Sequence, residues 1–529
     1  MLNIYPVTAV GPQASDYKVK INGRPVSLDT ARVSAMCFNR RWPGHQRQLE
    51  QTELANFILL SADKPLTFEI ASDSLELAHA IVRPLSLGIV PQIRGNTAIF
   101  TIPCPSYFTF EPNGRSHALH VFIDSPEKNR PAQDDACVLY YGPGVHEAGV
   151  ITLKDNQTLY LDEGAVVFAC IRAFDASNIR ILGRGILDNS HNLERILFEA
   201  NETDNQVAVC NAERDHTVQL EYCTNVIIDG ITIRDSLVYN IRPIGCRNVS
   251  ISNVKIIGCW RYNSDGIDMH NCENVLIDRC FLRTFDDSIC VKGFDCYYEG
   301  DVEAQVQQAM HYNGGCHEDF RHVLVRNCVI WNDWGKCLEI GAETRAGEIC
   351  DIRFEACDII HVTASPLDCC NVDYAHVHDV SYRGINIEFD DIIPTMRLQH
   401  SDNEPYRPGP PDNQPAVISV GVIYHPEYSA GGKRRGKNSG FVFEDIRLRS
   451  NKRPLFSFAG YDETHLTDGV VIRNFLLNGR PLASEADYEL VTNEFCDDIQ
   501  VFTGMPCSLN SKLSRDAQNA SLNTSSISS

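Results

Sequence analysis

A short phrase recurs along this chain and constrains the fold more than any other feature. It consists of a polar or turn residue, two or three alternating β-branched or aromatic residues, and a second short apolar stretch. The phrase starts at residues 178, 225, 248, 274, 322, 351, 379, 440 and 469, for example as "NVIIDGITIR" and "NVLIDRCFLR". Such alternation between Asn, Asp and Gly predicts strands, and recurrence without a helical pattern predicts a solenoid. The Leu-x-x-Leu-x-Leu register of leucine-rich repeats is missing, so we predict an all-β chain dominated by a right-handed parallel β-helix.

The phrase covers only part of the chain, which predicts a division into domains. Residues 1–131 lack it and instead contain the hairpin signal Asn22-Gly23 and alternating stretches such as "LTFEIAS". We predict an N-terminal β-sandwich-like domain over 1–131 and the β-helix, as catalytic domain, over 132–507. The Ser- and Asn-rich residues 508–529 are expected to form a disordered tail.

The 21 cysteines are interpreted from their place in the repeat. Cys280, Cys328 and Cys357 each stand six residues after the start of the phrase, where other repeats have Ile or Val. A cysteine in that slot behaves as a small buried hydrophobe, so we predict reduced core thiols rather than disulfides or metal ligands.

Charge and hydropathy exclude several classes of partner. The formal net charge of −22 opposes binding to nucleic acid and to anionic lipid. The chain has no apolar run of about 18 residues that would span a membrane. The start "MLNIYPVTAV" does not resemble a signal peptide, so we expect a cytoplasmic protein, or a secreted one whose leader has been removed. No cofactor is expected, and the oligomeric state is open.

Three aspartates form the strongest candidate for catalysis. Asp265 in "NSDGID" precedes the Asp286-Asp287 pair of "FDDSICVKG" by 21 residues, close to one coil of a solenoid. Residues one coil apart stack at about 4.8 Å, so the three carboxylates are expected to cluster. Repulsion between them should keep one protonated, and glycosidic cleavage needs a proton donor beside a carboxylate base. A structural role at the coil corners, where Asn and Asp cap the backbone, is the alternative.

These motifs resemble those of the polygalacturonase family, glycoside hydrolase family 28, over roughly residues 137–480. "NSDGID" is similar to the family's Asn-Thr-Asp segment, and "DDSICVKG" to its Asp-Asp-Cys-Ile-x-Ile-Lys-Ser-Gly segment. The resemblance implies a right-handed β-helix and inverting hydrolysis. It also implies that Asp286 is the general acid, that Asp265 and Asp287 hold and activate water, and that Asn263 and Lys292 bind substrate nearby. The order of domains also resembles that of dextranase-type family 49 β-helix glycosidases, which keep three aspartates.

Two elements of the family pattern differ here. "WGKCLEIG" places Lys336 where the family has a histidine, and "SPLDCCN" has no basic residue where the family's Arg-Ile-Lys grips a uronate. Without that bidentate partner, a carboxylated sugar loses its main anchor. We therefore predict an inverting glycosidase that acts on an oligo- or polysaccharide of neutral sugars.

Other residues of the same stretch are candidates for sugar binding. Aromatic faces stack on pyranose rings, which makes Trp260, Trp331, Trp334, Tyr262, Tyr297 and Tyr298 possible platforms, with Trp334 preferred; plugging of coil corners is the alternative. Lys336 could supply one cation to the substrate. Glu339 and Glu343 could accept hydrogen bonds from sugar hydroxyl groups, with roles in a buried network or on the surface as the alternative. Insertions at about 189–222, 293–321 and 390–439 could close the groove into a pocket that acts on chain ends.

Three other functions stay open at this point. A polygalacturonase acting on pectic glycans keeps the family's substrate. A polysaccharide lyase would use the aspartates to bind calcium and Lys292 or Lys336 as base. A non-catalytic carbohydrate-binding β-helix would need the stack of coils but not the aspartates.

Overall fold

The computed structural model describes residues 2–11, 13, 15–35, 52–128, 130–192, 216–261, 263–293, 319–389, 415–425, 429 and 434–504. In these residues the regular structure consists of strands and of three single 3₁₀ turns, Leu85–Leu87, Ser190–Asn192 and Glu485–Asp487. Within these ranges, no helix has the length and apolar character needed to cross a membrane.

Two facing sheets form the N-terminal part. Its strands are β1 (Leu2–Ile4), β2 (Lys18–Ile21), β3 (Arg24–Val26), β4 (Asp29–Ser34), β5 (Thr52–Ala62), β6 (Leu66–Ala71), β7 (Ile81–Arg83), β8 (Gln92–Arg94), β9 (Thr97–Ile102), β10 (Ser106–Glu111) and β11 (Leu119–Asp124). One sheet has the order β1-β5-β11-β10-β7, with β4 also paired to β5, and the other has the order β3-β2-β6-β9-β8. Phe68 and Phe100 from one sheet pack against Phe108 and Phe110 from the other, so this part is a β-sandwich as predicted.

The Asn22-Gly23 signal forms the predicted hairpin. Asn22 and Gly23 have φ angles of 49° and 77° and connect β2 to β3. Both residues adopt positive φ, as a type I′ turn requires.

The remaining strands wind into a parallel β-helix. They are β12 (Val138–Tyr141), β13 (Gly144–Thr152), β14 (Thr158–Leu161), β15 (Ala165–Phe174), β16 (Ser177–Gly183), β17 (Ile186–Asp188), β18 (Val218–Glu221), β19 (Thr224–Asp229), β20 (Thr232–Arg234), β21 (Ile241–Ile244), β22 (Arg247–Ser252), β23 (Lys255–Ile257), β24 (Ile267–His270), β25 (Glu273–Asp278), β26 (Phe281–Thr284), β27 (Ile289–Lys292), β28 (Phe320–Arg326), β29 (Val329–Asn332), β30 (Leu338–Ala342), β31 (Glu348–Glu355), β32 (Asp358–His361), β33 (Leu367–Asn371), β34 (His376–Arg383), β35 (Asn386–Glu388), β36 (Ile418–Val422), β37 (Lys437–Glu444), β38 (Arg447–Arg449), β39 (Leu455–Ala459), β40 (Thr467–Arg473), β41 (Leu476–Leu477), β42 (Arg480–Pro481), β43 (Glu489–Thr492) and β44 (Cys496–Val501).

Each regular coil contributes three strands. The first joins a 12-stranded sheet with the order β12-β14-β16-β19-β22-β25-β28-β31-β34-β37-β40-β44. The second joins a ladder that runs β17-β20-β23-β26-β29-β32-β35-β38-β41, here named the docking ladder, and the third joins the ladder β18-β21-β24-β27-β30-β33-β36-β39-β43, here named the site ladder. The predicted right-handed parallel β-helix is thereby confirmed.

The first residue of the repeated phrase has a specific conformational role. Asn225, Asn248 and Asn274 have φ angles of 57°, 56° and 57°, and the Gly440 and Gly469 that start later phrases have φ of 67° and 63°. Asn and Gly tolerate this left-handed conformation better than other residues. The apolar residues that follow, such as Val226 and Ile228, then point into the core. The phrase therefore encodes a bend followed by a half-buried strand.

The helix interior is a continuous apolar stack that includes the predicted cysteines. Cys280, Cys328 and Cys357 are fully buried and carry free thiols. Cys369 points into the core, whereas the adjacent Cys370 on β33 lies partly exposed on the other face. Alternation along one strand explains this difference.

The sandwich packs against the docking ladder. Phe57 and Phe122 of the first sheet contact an apolar surface of the helix that includes Phe281 and Trp331. The Arg283 guanidinium lies 4.1 Å from the centre of the Trp331 ring, and His361 Nε2 lies 2.8 Å from Glu111 Oε1 across the interface. This packing covers the docking ladder and leaves the site ladder as a separate face. The predicted boundary after residue 131 remains a prediction, and the tail 508–529 lies outside the described residues.

Candidate active site

The structure brings the three predicted aspartates together at the start of the site ladder. Asp265 lies in the turn before β24, and Asp286 and Asp287 lie in the turn between β26 and β27. β24 pairs with β27 in the register Ile267–Ile289, so the two turns stack on adjacent coils. One carboxylate oxygen from each aspartate lies within 4.8 Å of the other two. The one-coil spacing seen in the sequence is the cause of this cluster.

Backbone amides fix the orientation of the Asp286-Asp287 turn. The Asn263 amide donates to Asp286 Oδ2 at 3.2 Å, and the Asp287 amide donates to Asp286 Oδ1 at 3.0 Å. From the next coil, the Lys336 amide donates to Asp287 Oδ1 at 2.9 Å. Gly335 lies so close that a Cβ there would stand 2.4 Å from the Asp287 nitrogen. A glycine is therefore needed beside the two carboxylates.

Lys292 is the central cation of the cluster. Its Nζ lies 3.3 Å from Asp265 Oδ2, 3.1 Å from Asp268 Oδ1, and 3.8 Å from both Asp287 Oδ2 and Glu343 Oε2. The side chain is almost fully buried and its ammonium lies 5.1 Å from the centre of the Tyr239 ring. Burial acts against the charged form, but the surrounding carboxylates dominate and raise the pKa of Lys292 well above its usual value. It stays protonated and holds the cluster together.

The carboxylates differ in their surroundings. Burial and the nearby Asp287 raise the pKa of Asp286 well above its usual value, against the opposing effect of Lys292. Burial, with Asp268 and Asp286, also raises the pKa of Asp265, whose Oδ2 contacts the Lys292 ammonium. Among the described residues, no ammonium group approaches Asp286 as closely as the Lys292 Nζ approaches Asp265 Oδ2, at 3.3 Å. It is therefore the group best suited to keep a proton near neutral pH.

Lys336 forms a second centre on the next coils. Its Nζ lies 2.6 Å from both Glu339 Oε1 and Asp368 Oδ2, and its side chain is 28% exposed. The site ladder aligns Cys290, Glu339 and Asp368 as direct neighbours on β27, β30 and β33. Lys336 is thus held by two carboxylates, with part of its surface open to solvent.

Two further residues belong to the site although neither was predicted from the sequence. Asp268, three residues after Asp265 and the second residue of β24, is fully buried and contacts Lys292. The Asn332 side-chain amide donates to the Asp286 carbonyl at 2.7 Å and to the Lys336 carbonyl at 3.1 Å, while its Oδ1 accepts from the Trp334 amide at 3.0 Å. The alternation of side chains along β24 directs Asp268 away from the core, and this pattern was the sequence signal that could have identified it. Asn332 had no such signal, because its contacts join two coils.

The tryptophan predictions have different outcomes. Trp331 is fully buried under the sandwich, and Trp260 is 5% exposed with its indole N–H bound to Asp235 at 2.9 Å, so the prediction of sugar platforms is wrong for both. The ring of Trp260 packs against Arg261, and that of Trp331 packs against Arg283 beneath the sandwich. Trp334 is only partly buried and stacks on Phe285 at 5.6 Å, next to Lys336. Tyr262, Tyr297 and Tyr298, and most of the three insertions, lie outside the described residues.

The same carboxylates form a possible cation site. Oxygens of Asp265, Asp286 and Asp287 are close enough to share one ion, and a hard cation prefers such ligands. The Lys292 ammonium already stands 3.3 Å from Asp265 Oδ2 and supplies a positive charge at this position. Asp287, Cys290 and Glu339 form another close group on the same face.

Comparisons with known proteins agree with the motifs. Residues 142–314 match the family model "Glycosyl hydrolases family 28". A "Probable polygalacturonase" from Vitis vinifera is 26% identical over 211 residues, which are 35% of this chain and 43% of that protein. A "Polygalacturonase" from Gossypium barbadense is 28% identical over 122 residues, 23% of this chain and 29% of that protein. The chain therefore spans less than half the length of these curated relatives.

A solved structure shows the same fold along nearly the whole chain. "Dex49A from Penicillium minioluteum" matches with a TM-score of 0.52 at 13% identity, covering 94% of this chain and 96% of that one. At this identity the likeness shows the fold alone. The predicted resemblance to family 28 and the predicted order of sandwich and β-helix are confirmed.

Proposed function

We propose that this chain, which is similar to glycosyl hydrolases of family 28 over residues 142–314, is an inverting O-glycosyl hydrolase acting on an oligo- or polysaccharide. The observation that carries the proposal is the approach of one oxygen each from Asp265, Asp286 and Asp287 to within 4.8 Å beside the Lys292 ammonium. Such a cluster offers a proton donor and a base at one point of the site ladder.

In the proposed mechanism Asp286 is the general acid. Burial and the neighbouring Asp287 raise the pKa of Asp286, which keeps its carboxyl group protonated. The proton passes to the glycosidic oxygen as the bond to the anomeric carbon breaks. The Asn263 and Asp287 amides stabilise the carboxylate that remains after transfer.

Asp287 and Asp265 hold the attacking water in this proposal. Asp287 is oriented by the Lys336 amide, and Asp265 by Lys292. Water loses a proton to one of these carboxylates as its oxygen attacks the anomeric carbon opposite the leaving group. The Lys292 ammonium, 3.3 Å from Asp265 Oδ2, favours the charged form of Asp265 and so opposes the rise in the pKa of Asp265 that burial, Asp268 and Asp286 cause.

The inverting outcome follows from the family resemblance and is a separate, testable part of the proposal. Inverting glycosidases usually keep their two carboxyl groups roughly 6.5–9.5 Å apart, whereas the closest oxygens here lie within 4.8 Å. Three carboxylates with water between two of them permit single displacement at this shorter separation. Proton NMR of the first-formed sugar tests this part of the proposal. A product whose anomeric configuration is opposite to that of the substrate supports inversion, and a product with the same configuration rejects it.

We further propose that the substrate is built from neutral sugars. The described face carries seven carboxylates in contact with Lys292, Lys336 or each other, namely Asp265, Asp268, Asp286, Asp287, Glu339, Glu343 and Asp368. Both ammonium groups are already paired with carboxylates, and residues 365–371 add no cation. A uronate would bring further negative charge, and neither of these two ammonium groups offers it a bidentate partner. Neutral hydroxyl groups, in contrast, can donate to carboxylates such as Glu339 and Asp368.

A pectic substrate is the second candidate, because the relatives are named polygalacturonases. Release of reducing sugar from polygalacturonate is compared with release from dextran, galactan, arabinan and xylan, with the Asp286→Asn variant as the control for contaminating activity. Turnover of a neutral glycan supports both parts of the proposal. Turnover of polygalacturonate alone rejects the neutral substrate and keeps the hydrolase.

The same assay separates the remaining functions. An unsaturated product that absorbs in the ultraviolet, formed only without EDTA, identifies a lyase that needs calcium. Binding of a glycan without any cleavage by the wild-type protein identifies a carbohydrate-binding module. Either result rejects the hydrolase.

A further inference from the structure

A group of potential metal ligands lies on the 12-stranded sheet, away from the ladder that carries the aspartates. Ligand atoms of Glu348, Cys350 and His378 all lie within 4.8 Å of one another. These residues play no part in the proposed hydrolysis. Their carboxylate, thiol and imidazole groups form a typical ligand set for zinc.

The strand register explains why the three side chains meet. Glu348 and Cys350 stand two residues apart on β31, and Cys350 is the direct neighbour of His378 on β34. The intervening Ile349 and the corresponding Val377 are fully buried in the helix core. Alternation therefore directs the three potential ligands to the outer face, where paired strands hold them at a fixed spacing.

The contacts of His378 independently resemble those of a metal-bound histidine. Its Nδ1 is 2.7 Å from Asp379 Oδ2, an arrangement that leaves Nε2 as the lone-pair nitrogen. Nε2 is buried, has no hydrogen-bond partner among the described residues, and faces Glu348 Oε1 at 3.9 Å. In zinc sites the second nitrogen of a ligating histidine commonly binds a carboxylate in this way.

The surrounding charges permit a divalent cation. Arg321 neighbours Cys350 on the other side, but its guanidinium is paired with Asp319. Glu348 is 49% exposed and gives access from solvent. With Cys350 as thiolate and Glu348 ionised, two negative charges balance one Zn²⁺.

We propose that Glu348, Cys350 and His378 bind a zinc ion on the outer face of the β-helix. Binding forms bonds from the ion to the carboxylate oxygen, the sulfur and Nε2, and the thiol proton of Cys350 is released to solvent. No oxidation is involved. Because β31 and β34 belong to adjacent coils, the ion cross-links them and stabilises the folded chain.

Titration with Co²⁺, a spectroscopic substitute for zinc, tests the site in the full-length protein. A thiolate-to-cobalt absorption band is expected in the wild type and in Cys290→Ser, and it should be absent in Cys350→Ser. Cys290 is the matched control because it lies in the other thiol-containing group, with Asp287 and Glu339. A band that persists in Cys350→Ser but disappears in Cys290→Ser overturns the proposal, as does the absence of a band in the wild type.

Thermal unfolding provides a readout that does not depend on absorption. Zn²⁺ should raise the Tm of the wild-type protein in a concentration-dependent manner, and the increase should shrink in His378→Ala and in Cys350→Ser. Both variants are expected to match the wild-type Tm without metal, since neither side chain lies in the core. An equal increase in all three proteins contradicts the proposed site. Neither measurement depends on hydrolysis.

Discussion

At the scale of single residues, the site combines three carboxylates with a cation that holds them. Asp265 and Lys292 form the ion pair, and Asp286 stands where a neighbouring charge and burial favour its protonated form. The sequence motifs were sufficient to predict these residues because their spacing equals one coil. Asp268 and Asn332 were not predicted. Asp268 is the last residue of "NSDGID", but its contact with Lys292 depends on the strand register, and the hydrogen bonds of Asn332 depend on side-chain geometry across coils.

The raised pKa of Asp286 predicts the high-pH limb of the activity profile. Only protonated Asp286 can donate to the leaving oxygen, so the rate should fall as pH increases through its folded-state pKa. Burial and Asp287 shift that point above the ordinary value for aspartate. The measurement is kcat/KM against pH on the best substrate. A rate that increases steadily through neutral and alkaline pH contradicts the assignment.

At the scale of elements, the repeated phrase predicted the strands of the β-helix and the face that each strand buries. The left-handed conformation of Asn225, Asn248 and Asn274 explains why the phrase starts with these residues. Trp331 was beyond prediction because its outward position on β29 becomes buried only when the sandwich covers it. Local alternation specifies which face a residue occupies, but not what packs against that face.

Gly335 provides a test of the turn that carries the aspartates. In Gly335→Ala the new Cβ would stand 2.4 Å from the Asp287 nitrogen and 2.5 Å from the Asp286 carbonyl carbon, so the turn must shift. A shift of about 1 Å costs on the order of 100-fold in rate, so kcat should fall by about that factor.

The matched control is Gly142→Ala, where the nearest atom to a new Cβ, Tyr140 Cε1, lies 3.9 Å away. This variant should keep wild-type kcat. Equal kcat values for Gly335→Ala and wild type would show that the Asp286-Asp287 turn tolerates displacement.

At the scale of the whole molecule, the sandwich and the β-helix share an apolar interface with buried charges. Phe122 and Phe281 meet with ring centres 4.9 Å apart, and Glu111 and His361, both buried, also meet across this interface. Burial alone would raise the pKa of Glu111, but His361 and Arg83 outweigh it and lower that pKa. The ionised carboxylate therefore stabilises the fold above the ordinary pKa of glutamate, and this contribution is lost as pH falls through the lowered value.

The interface predicts a large loss of stability on truncation of Trp331. Its ring is fully buried between the Arg283 guanidinium and the docked sheet, so Trp331→Ala should lower the free energy of unfolding by about 3–5 kcal/mol. Phe502→Ala is the control, because Phe502 is 55% exposed and its loss should cost no more than about 0.5 kcal/mol. Urea unfolding measures the free energy of unfolding of both variants. Equal unfolding midpoints for the two variants would rule out a tightly packed interface.

The central claim is that Asp265, Asp286 and Asp287 cleave a glycosidic bond together, with Asp286 as the proton donor. The most direct measurement is the single-turnover rate of bond cleavage in Asp286→Asn beside the wild type, with glycan affinity measured on the same samples. The account predicts a rate lower by roughly 10²–10⁴-fold with affinity and Tm preserved. Wild-type cleavage by a folded Asp286→Asn variant would contradict it.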